Sequence, residues 1–211
     1  MSSKLFSCPL PAALPAVSDT GECFSSPGNV IGIGFQLYQS TPSFDATTVK
    51  AVGTYTPLLA STSDTALRYV PVVNFVAATG EAITEGGNDQ TTYLGIPKMK
   101  GGGFSTATFT LEGITAAQAL EVRNLIQFSR LSNGRTKLRA VLFTEDNFVI
   151  TASDFNGVPV HGLYISDVIK GGSFKPEDMY NGQFYLPYGW SHDSVTTLAT
   201  FDVASLLNVA P

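Results

Sequence analysis

Two histidines are the first candidates for catalytic chemistry in this chain. His161 falls in an alternating β-type segment, out of phase with Val160 and Tyr164, which is typical of a surface or packing histidine. His192 lies between a serine and an aspartate in residues 189–194. Adjacent residues of one loop seldom orient a nucleophile, a base and an acid toward each other, and no G-x-S-x-G motif is present. We therefore expect no catalytic residues and no enzyme activity.

Metal and cofactor sites are also not indicated. Zinc requires about four Cys or His ligands in paired spacing, whereas Cys8, Cys23 and the two histidines are scattered. Residues 85–89 carry oxygen ligands without the alternation of a calcium loop. The glycine run at 101–103 lacks the Gly-Lys-Ser/Thr ending of a phosphate loop. We expect no metal and no cofactor, and Cys8 and Cys23 can either pair or remain free thiols.

The elements that would position these side chains are mostly β-strands. Residues 30–39 alternate, with apolar side chains on one face and Gly32 and Gly34 on the other. This pattern predicts a half-buried strand whose glycine face allows another subunit to approach. Thr106, Thr108 and Thr110 are expected to point outward from a second such strand. Further strands are predicted at 67–76, with Pro71 marking an edge or bulge, and at 137–143, 148–151, 158–165, 183–186 and 195–203.

One helix is predicted from its cap and its periodicity. Thr115 is followed three residues later by Gln118, which is a capping box. Ala119, Val122 and Ile126 then form an apolar stripe at helical spacing. Residues 54–65 are interpreted as a loop that can hold a helical turn after its proline. The sequence therefore predicts a mainly β protein, a β-sandwich or barrel with one flanking α-helix at about 115–131.

The glycine-rich residues 77–103 form an unusually long excursion between predicted strands. Connections have a median of about 4–6 residues, so we expect a long projecting loop or hairpin here. Residues 1–29 are rich in proline and serine and are interpreted as an extended N-terminal arm. The arm can reach a neighbouring subunit or lie on its own domain. Residues 30–211 are predicted to form a single β-rich domain, with 156–211 as a candidate added lobe or extension.

The composition favours a subunit of an assembly. Charged residues make up 14% of the chain, against roughly 25% in average usage. The net charge of −5 excludes the basic surface of a nucleic-acid reader. No apolar run of about 18 residues indicates a membrane span, and prolines interrupt the apolar N-terminus, so no secretion signal is expected. The aromatic residues near the C-terminus favour packing or an interface over sugar stacking: Phe184, Tyr185, Tyr188 and Trp190.

Three stretches resemble virion proteins of tailed phages: AITEGGN at 82–88, LGIP at 94–97, and VIGIGFQ at 30–36 after a Cys-containing, Pro-rich start. The order of elements over roughly 30–151 is similar to that of the phage tail tube (major tail) protein family. The resemblance implies subunits packed into stacked rings, with inner strands lining a lumen and a long loop contacting the next ring. The implied inter-ring contact residues are Glu81, Glu85, Asn88, Asp89, Lys98 and Lys100.

The resemblance further implies that the partners are other copies of this chain and other tail proteins. DNA would pass through the lumen during ejection without specific binding, and the protein would reside in the virion tail after synthesis in the host cytoplasm. No membrane partner is expected. The alternatives are a capsid decoration or other virion structural protein, and a glycan- or receptor-binding virion domain. A tube requires a channel wall without clustered lysine or arginine, because a basic wall would hold the DNA.

Overall fold

The computed structural model describes residues 28–85, 98–130, 137–168 and 179–208, and it is mainly β, as predicted. Cys8, Cys23, Asn88 and Asp89 lie outside the described residues. The elements in chain order are β1 (Val30–Leu37), a 3-10 turn (Thr48–Lys50), α1 (Val52–Ala60), β2 (Arg68–Pro71), β3 (Val73–Ala78), β4 (Ala82–Glu85), β5 (Lys98–Gly102), β6 (Ser105–Glu112), α2 (Ala116–Asn124), α3 (Ile126–Ser129), β7 (Leu138–Thr144), β8 (Phe148–Ala152), β9 (Val158–Pro159), β10 (His161–Ile165), β11 (Met179–Leu186), β12 (Ser194–Leu198) and a 3-10 segment (Val203–Asn208).

Two antiparallel sheets and a helical layer make three layers. The six-stranded sheet has the order β12-β8-β7-β1-β2, with β9 also paired to β7, and the four-stranded sheet has the order β10-β11-β6-β3. The first core fills the space between the sheets and contains Phe35, Phe109 and Phe184. The second core lies on the other face of the six-stranded sheet and contains Tyr55 and Phe143. Among the described residues, the six-stranded sheet is therefore covered on both faces and the four-stranded sheet on one.

The prediction of a half-buried β1 is wrong, because this strand is buried on both faces. Its residues from Gly32 to Gln36 are all buried. A side chain at Gly32 would collide with the ring of Tyr69, and one at Gly34 would collide with Leu67. The glycines thus accept side chains of the second core of the same subunit. The close approach that the sequence indicated occurs within the chain, as expected for a central strand covered on both sides.

Helix α2 was predicted from the sequence, whereas helix α1 was not. Helix α2 begins at the predicted cap, with the Thr115 hydroxyl accepting from Gln118 N–H at 3.2 Å and the Gln118 side chain accepting from Thr115 N–H at 2.9 Å. Ala119 and Val122 are buried as predicted. Helix α2 ends at Asn124, and the short α3 follows it. Helix α1 is additional to the single predicted helix: it contains Pro57, which made the segment resemble a loop.

We expect Thr115→Ala to lower the free energy of unfolding by about 1 kcal/mol, because the Gln118 N–H at the start of α2 loses the hydroxyl that accepts its hydrogen bond. Thr115→Ser keeps the hydroxyl and should retain most of the stability. Urea unfolding of the three proteins measures the difference. Equal stability of Thr115→Ala and the parent protein would contradict the capping role.

Residues 156–208 contribute strands to both sheets. Strand β11 pairs with β10 on one side and β6 on the other, and β12 pairs with β8. The described part of this region is therefore integral to the two-sheet body. The sequence predicts this strand at 183–186, but β11 begins at Met179, so Asn181 and Gly182 lie inside it. Gly182 is required there because a side chain would collide with the ring of Phe109 across the ladder.

Candidate assembly surfaces

The two histidines lie in different surroundings. The ring of His161 is partly buried, with its centroid 5.2 Å from that of Phe104. Burial, and then the charge of Arg139, lower the pKa of His161 below its usual value, so the imidazole is neutral at neutral pH. Its Nδ1 atom is buried with no hydrogen-bond partner. His192 is exposed in the turn before β12. The absence of catalysis remains a prediction.

In the part of the chain that the structure describes, no group of three or more His, Cys, Asp or Glu side chains is placed to hold a metal ion. The described helices are also too short or too polar to cross a membrane.

The C-terminal aromatic residues do not form one platform. Phe184 is fully buried in the first core, and Tyr185 points away from it on the opposite face of the sheet. Tyr188 is 68% exposed and its ring lies against Gly102 of β5. Trp190 is partly buried and lines a separate pocket of about 370 Å³ together with Arg139, Asp154 and Asp193. One of the four residues therefore lies in the core, and the other three lie at three different surfaces.

The uncovered face of the four-stranded sheet is the first candidate surface, called here the open face. The strand register sets its side chains in rows, of which the central row is Tyr164, Gln183, Thr108 and Val76. The adjacent rows are His161, Tyr185, Thr106 and Ala78 on one side and Asn181, Thr110 and Val73 on the other, followed by Met179 and Glu112. The outward direction of the three threonines was predicted and is confirmed.

The open face is almost without charge. Glu112 is the one acidic side chain in these rows, His161 is neutral at neutral pH because its pKa is lowered, and neither lysine nor arginine occurs in them. The remaining polar groups are hydroxyls and amides, and two of them bond to each other, with Thr110 Oγ1 donating to Asn181 Oδ1 at 3.2 Å. The face thus offers a neutral hydrogen-bonding surface with two exposed aromatic side chains, Tyr164 and Tyr185.

The β4–β5 hairpin is the second candidate surface and lies within the predicted excursion at 77–103, whose first two residues belong to β3. Its strands pair with each other in a separate two-stranded sheet. All side chains of β4 are exposed, and Met99 on β5 is 71% exposed, the highest value among the large apolar residues that the structure describes. The hairpin therefore presents apolar side chains that no other described segment covers.

Of the predicted inter-ring residues, the structure brings two together. Lys100 and Glu85 form an exposed ion pair across the hairpin. Glu81 is exposed just before β4. The backbone of Lys98 lies opposite Glu85 in the ladder. Asn88 and Asp89 fall on residues that the structure leaves undescribed. Because exposed pairs contribute about 0–1 kcal/mol, the ion pair shapes the hairpin only weakly.

A groove beside strand β2 is the third candidate surface, and sequence analysis missed it. It has a volume of about 500 Å³ and lies between β2 at the edge of the six-stranded sheet, the end of α1, and α2. Its lining includes the buried apolar side chains Leu59, Leu67, Val70, Ile114 and Val122. Ala117, Gln118 and Glu121 of α2 form an exposed rim. These residues are far apart in sequence, so no local pattern could indicate the groove.

The edge of β2 leaves part of its backbone unpaired. Val72 N–H donates to Ile31 O at 2.9 Å. In this register the backbone N–H and C=O groups of Val70 and Arg68 point toward β1, and the backbone groups of Tyr69 and Pro71 point away from it. Leu67 N–H donates to Leu58 O at 3.0 Å. No backbone hydrogen bond from another described segment reaches Tyr69 on the groove side. The groove therefore combines an apolar floor with an available strand edge.

Neither a model of a known protein family nor a curated protein matches this chain. Its function is therefore inferred from the three surfaces themselves.

Proposed function

We propose that this chain is a structural virion protein that assembles into stacked rings to form the tail tube through which a tailed phage ejects its DNA. The open face is the observation that carries the proposal. In this arrangement, the four-stranded sheet faces the lumen and the helical layer on the six-stranded sheet faces outward. The subunit acts by packing against copies of itself and carries no catalytic residue.

The chemistry of the open face suits a channel for DNA. Duplex DNA carries one negative charge per about 1.7 Å of its axis, and cationic side chains that bind it release counterions and hold it. A wall of Thr, Asn, Gln and Tyr side chains with Glu112 as its charge gives the phosphates no such partner. DNA can slide along such a wall because no contact has to be broken at each step.

The β4–β5 hairpin supports the stacking part of the proposal. It pairs only with itself among the described strands and exposes Ile83 and Met99. An apolar patch at one place that fits a depression elsewhere on the same molecule produces head-to-tail contacts. Such contacts extend into rings or tubes. The hairpin, with Glu81, Glu85, Lys98 and Lys100 on or beside its strands, is the proposed contact to the next ring.

Negative-stain microscopy of the purified full-length protein over a range of concentrations tests the proposal. We expect rings or tubes whose central channel is wider than a DNA duplex. The duplex is roughly 20 Å across, and its major groove alone is roughly 12 Å wide. Monodisperse monomers at every concentration, or assemblies without a channel, would refute the tube and favour the decoration of a capsid.

We expect lysines on the open face to convert the channel into a DNA-binding one. Thr108→Lys with Gln183→Lys adds two cations per subunit in one cross-strand row, so tubes should bind a short duplex at least about tenfold more tightly at 50 mM salt and lose it at 200 mM. The matched control is Thr196→Lys with Leu198→Lys, at exposed positions of β12 in the other sheet. Equal DNA retention by both variants would show that the open face does not line the channel.

Glycan binding is the second candidate function, favoured by Tyr164 and Tyr185 on the same face as Asn181 and Gln183. Exposed aromatic rings with amide neighbours can stack on and hydrogen-bond to sugar rings. Titration of the protein with host-surface glycans distinguishes the two. Millimolar or tighter binding that Tyr164→Ala abolishes would support glycan recognition in place of the lumen.

A further inference from the structure

We propose that the groove between β2 and α2 receives the β4–β5 hairpin of a second copy of this chain. The inference rests on the proposed function, since it assigns the receiving site of the ring-to-ring contact. The occupant is the described part of the hairpin, with Met99 and Ile83 entering the apolar floor. The hairpin and the groove belong to different parts of the same molecule, so the contact is heterologous and can repeat.

The first argument is apolar complementarity. Met99 is 71% and Ile83 is 53% exposed, one on each strand of a hairpin whose Gly102 lies against Tyr188 of the same chain. The groove has a volume of about 500 Å³, enough for more than one side chain, and the five apolar residues beneath it are at most 8% exposed, so an occupant would contact them together with the polar rim. Methionine is unbranched and adapts to irregular apolar depressions. The groove can therefore remove the exposed side chains of Met99 and Ile83 from water.

The second argument is the backbone. Strands β4 and β5 each have one edge that no other described strand pairs with. Strand β2 is likewise an edge strand, and the backbone N–H and C=O of Tyr69 point toward the groove. Addition of a strand to such an edge gives main-chain hydrogen bonds, while alternate side chains enter the adjoining pocket. Pro71 has no N–H to donate, so the available edge is short and matches a hairpin strand of four or five residues.

The third argument is charge. The groove lining carries one acid, Glu121 on the α2 rim, and one cation, Arg68, which donates to Ser61 O. The hairpin likewise carries one charge of each sign, Lys100 and its exposed partner Glu85. Docking allows Lys100 to face Glu121 without burying an unpaired charge. The area buried in this contact should be smaller than the roughly 1,200–2,000 Å² that a standard interface buries. Two free copies should therefore associate weakly, and repetition around a ring should make the contact stable.

Cysteine cross-linking in the full-length chain tests the proposal. The variant Met99→Cys with Ala117→Cys is made in a background in which Cys8→Ser and Cys23→Ser remove the native thiols. Oxidation of concentrated protein should give a covalent ladder of oligomers on a non-reducing gel. A mixture of the two single-cysteine variants should stop at dimers, because each chain then has one reactive end. The control pair Met99→Cys with Leu198→Cys, at the opposite edge of the six-stranded sheet, should give no ladder.

The outcomes separate this proposal from the proposed function. Dimers of Met99→Cys alone would mean that hairpins pair with hairpins, and a cross-linked monomer would mean that the hairpin occupies its own groove. Either result overturns the inference. Tubes seen by microscopy without a ladder overturn the groove and leave the tube standing. A ladder without any channel supports the groove and overturns the tube.

A second variant addresses the groove from its rim. Ala117→Arg places a bulky cation at the exposed rim, and it should raise the concentration needed for assembly at least about tenfold with an unchanged melting temperature. Leu120→Arg is the matched control, because Leu120 is 58% exposed on the same helix and does not line the groove. Equal assembly of the two variants would overturn the inference.

Discussion

Removal of residues 84–98, with Ile83 and Met99 both replaced by serine and joined through an Asn-Gly turn, should yield a folded monomer that no longer assembles. The deleted segment contains part of a two-stranded sheet that contributes no strand to either main sheet. All four side chains of β4 are exposed, so the deletion removes no core residue from the part of this strand that it includes, Thr84 and Glu85. Shortening a surface loop changes the closure entropy by only about 0.6 kcal/mol per halving of its length. The melting temperature should therefore shift by no more than a few degrees.

Assembly is measured by light scattering and by negative-stain microscopy at equal concentrations. The control is Leu198→Ser, which removes an exposed apolar side chain at the far edge of the six-stranded sheet and should assemble normally. Because the deletion variant keeps the groove, an excess of it should also cap one end of growing tubes and shorten them. Tubes of normal length from the deletion variant would exclude the hairpin as the stacking element.

Val122→Asp should cost about 3–5 kcal/mol of the free energy of unfolding, a large fraction of the 5–15 kcal/mol of a typical domain. Val122 is 2% exposed in the first core, where α2 packs beside the two sheets. A carboxylate there would lose its water without gaining a partner. Burial also raises the pKa of such a carboxyl group. The destabilisation should therefore be greatest at neutral pH and decrease as the pH falls toward the unfolded pKa of about 3.9.

Leu120→Asp is the matched control, since Leu120 is 58% exposed two residues earlier on the same helix. It should change stability by less than about 0.5 kcal/mol. If Val122→Asp does not fold, Val122→Ala is measured instead. It should keep the fold and lower the free energy of unfolding by about 2 kcal/mol, because it leaves a cavity. Chemical denaturation of the variants at pH 7 and pH 4 measures all of these differences. Equal stability of Val122→Asp and Leu120→Asp would show that the buried face of α2 is wrongly assigned.

The sequence determined the elements that rest on local chemistry. The capping box of Thr115 and Gln118 fixed the start of α2, because both partners lie within one turn. The alternation in β6 fixed which threonines point outward, since successive strand residues face opposite sides. The glycine-rich segment gave the hairpin, as its length exceeds what a simple connection needs. Mainly β architecture followed from the sum of these patterns.

Tertiary structure decided what local patterns could not. The two-sided burial of β1 arises because the helical layer covers the second face of the six-stranded sheet, and that layer includes α1, whose Pro57 concealed it in sequence. The open face is defined by the pairing of β6 with β11, more than 60 residues apart, which sets Thr108 beside Gln183. The groove exists only where β2 ends one sheet next to α2. Periodicity is a property of neighbouring residues, whereas a surface depends on which distant strands pair and on what covers each side.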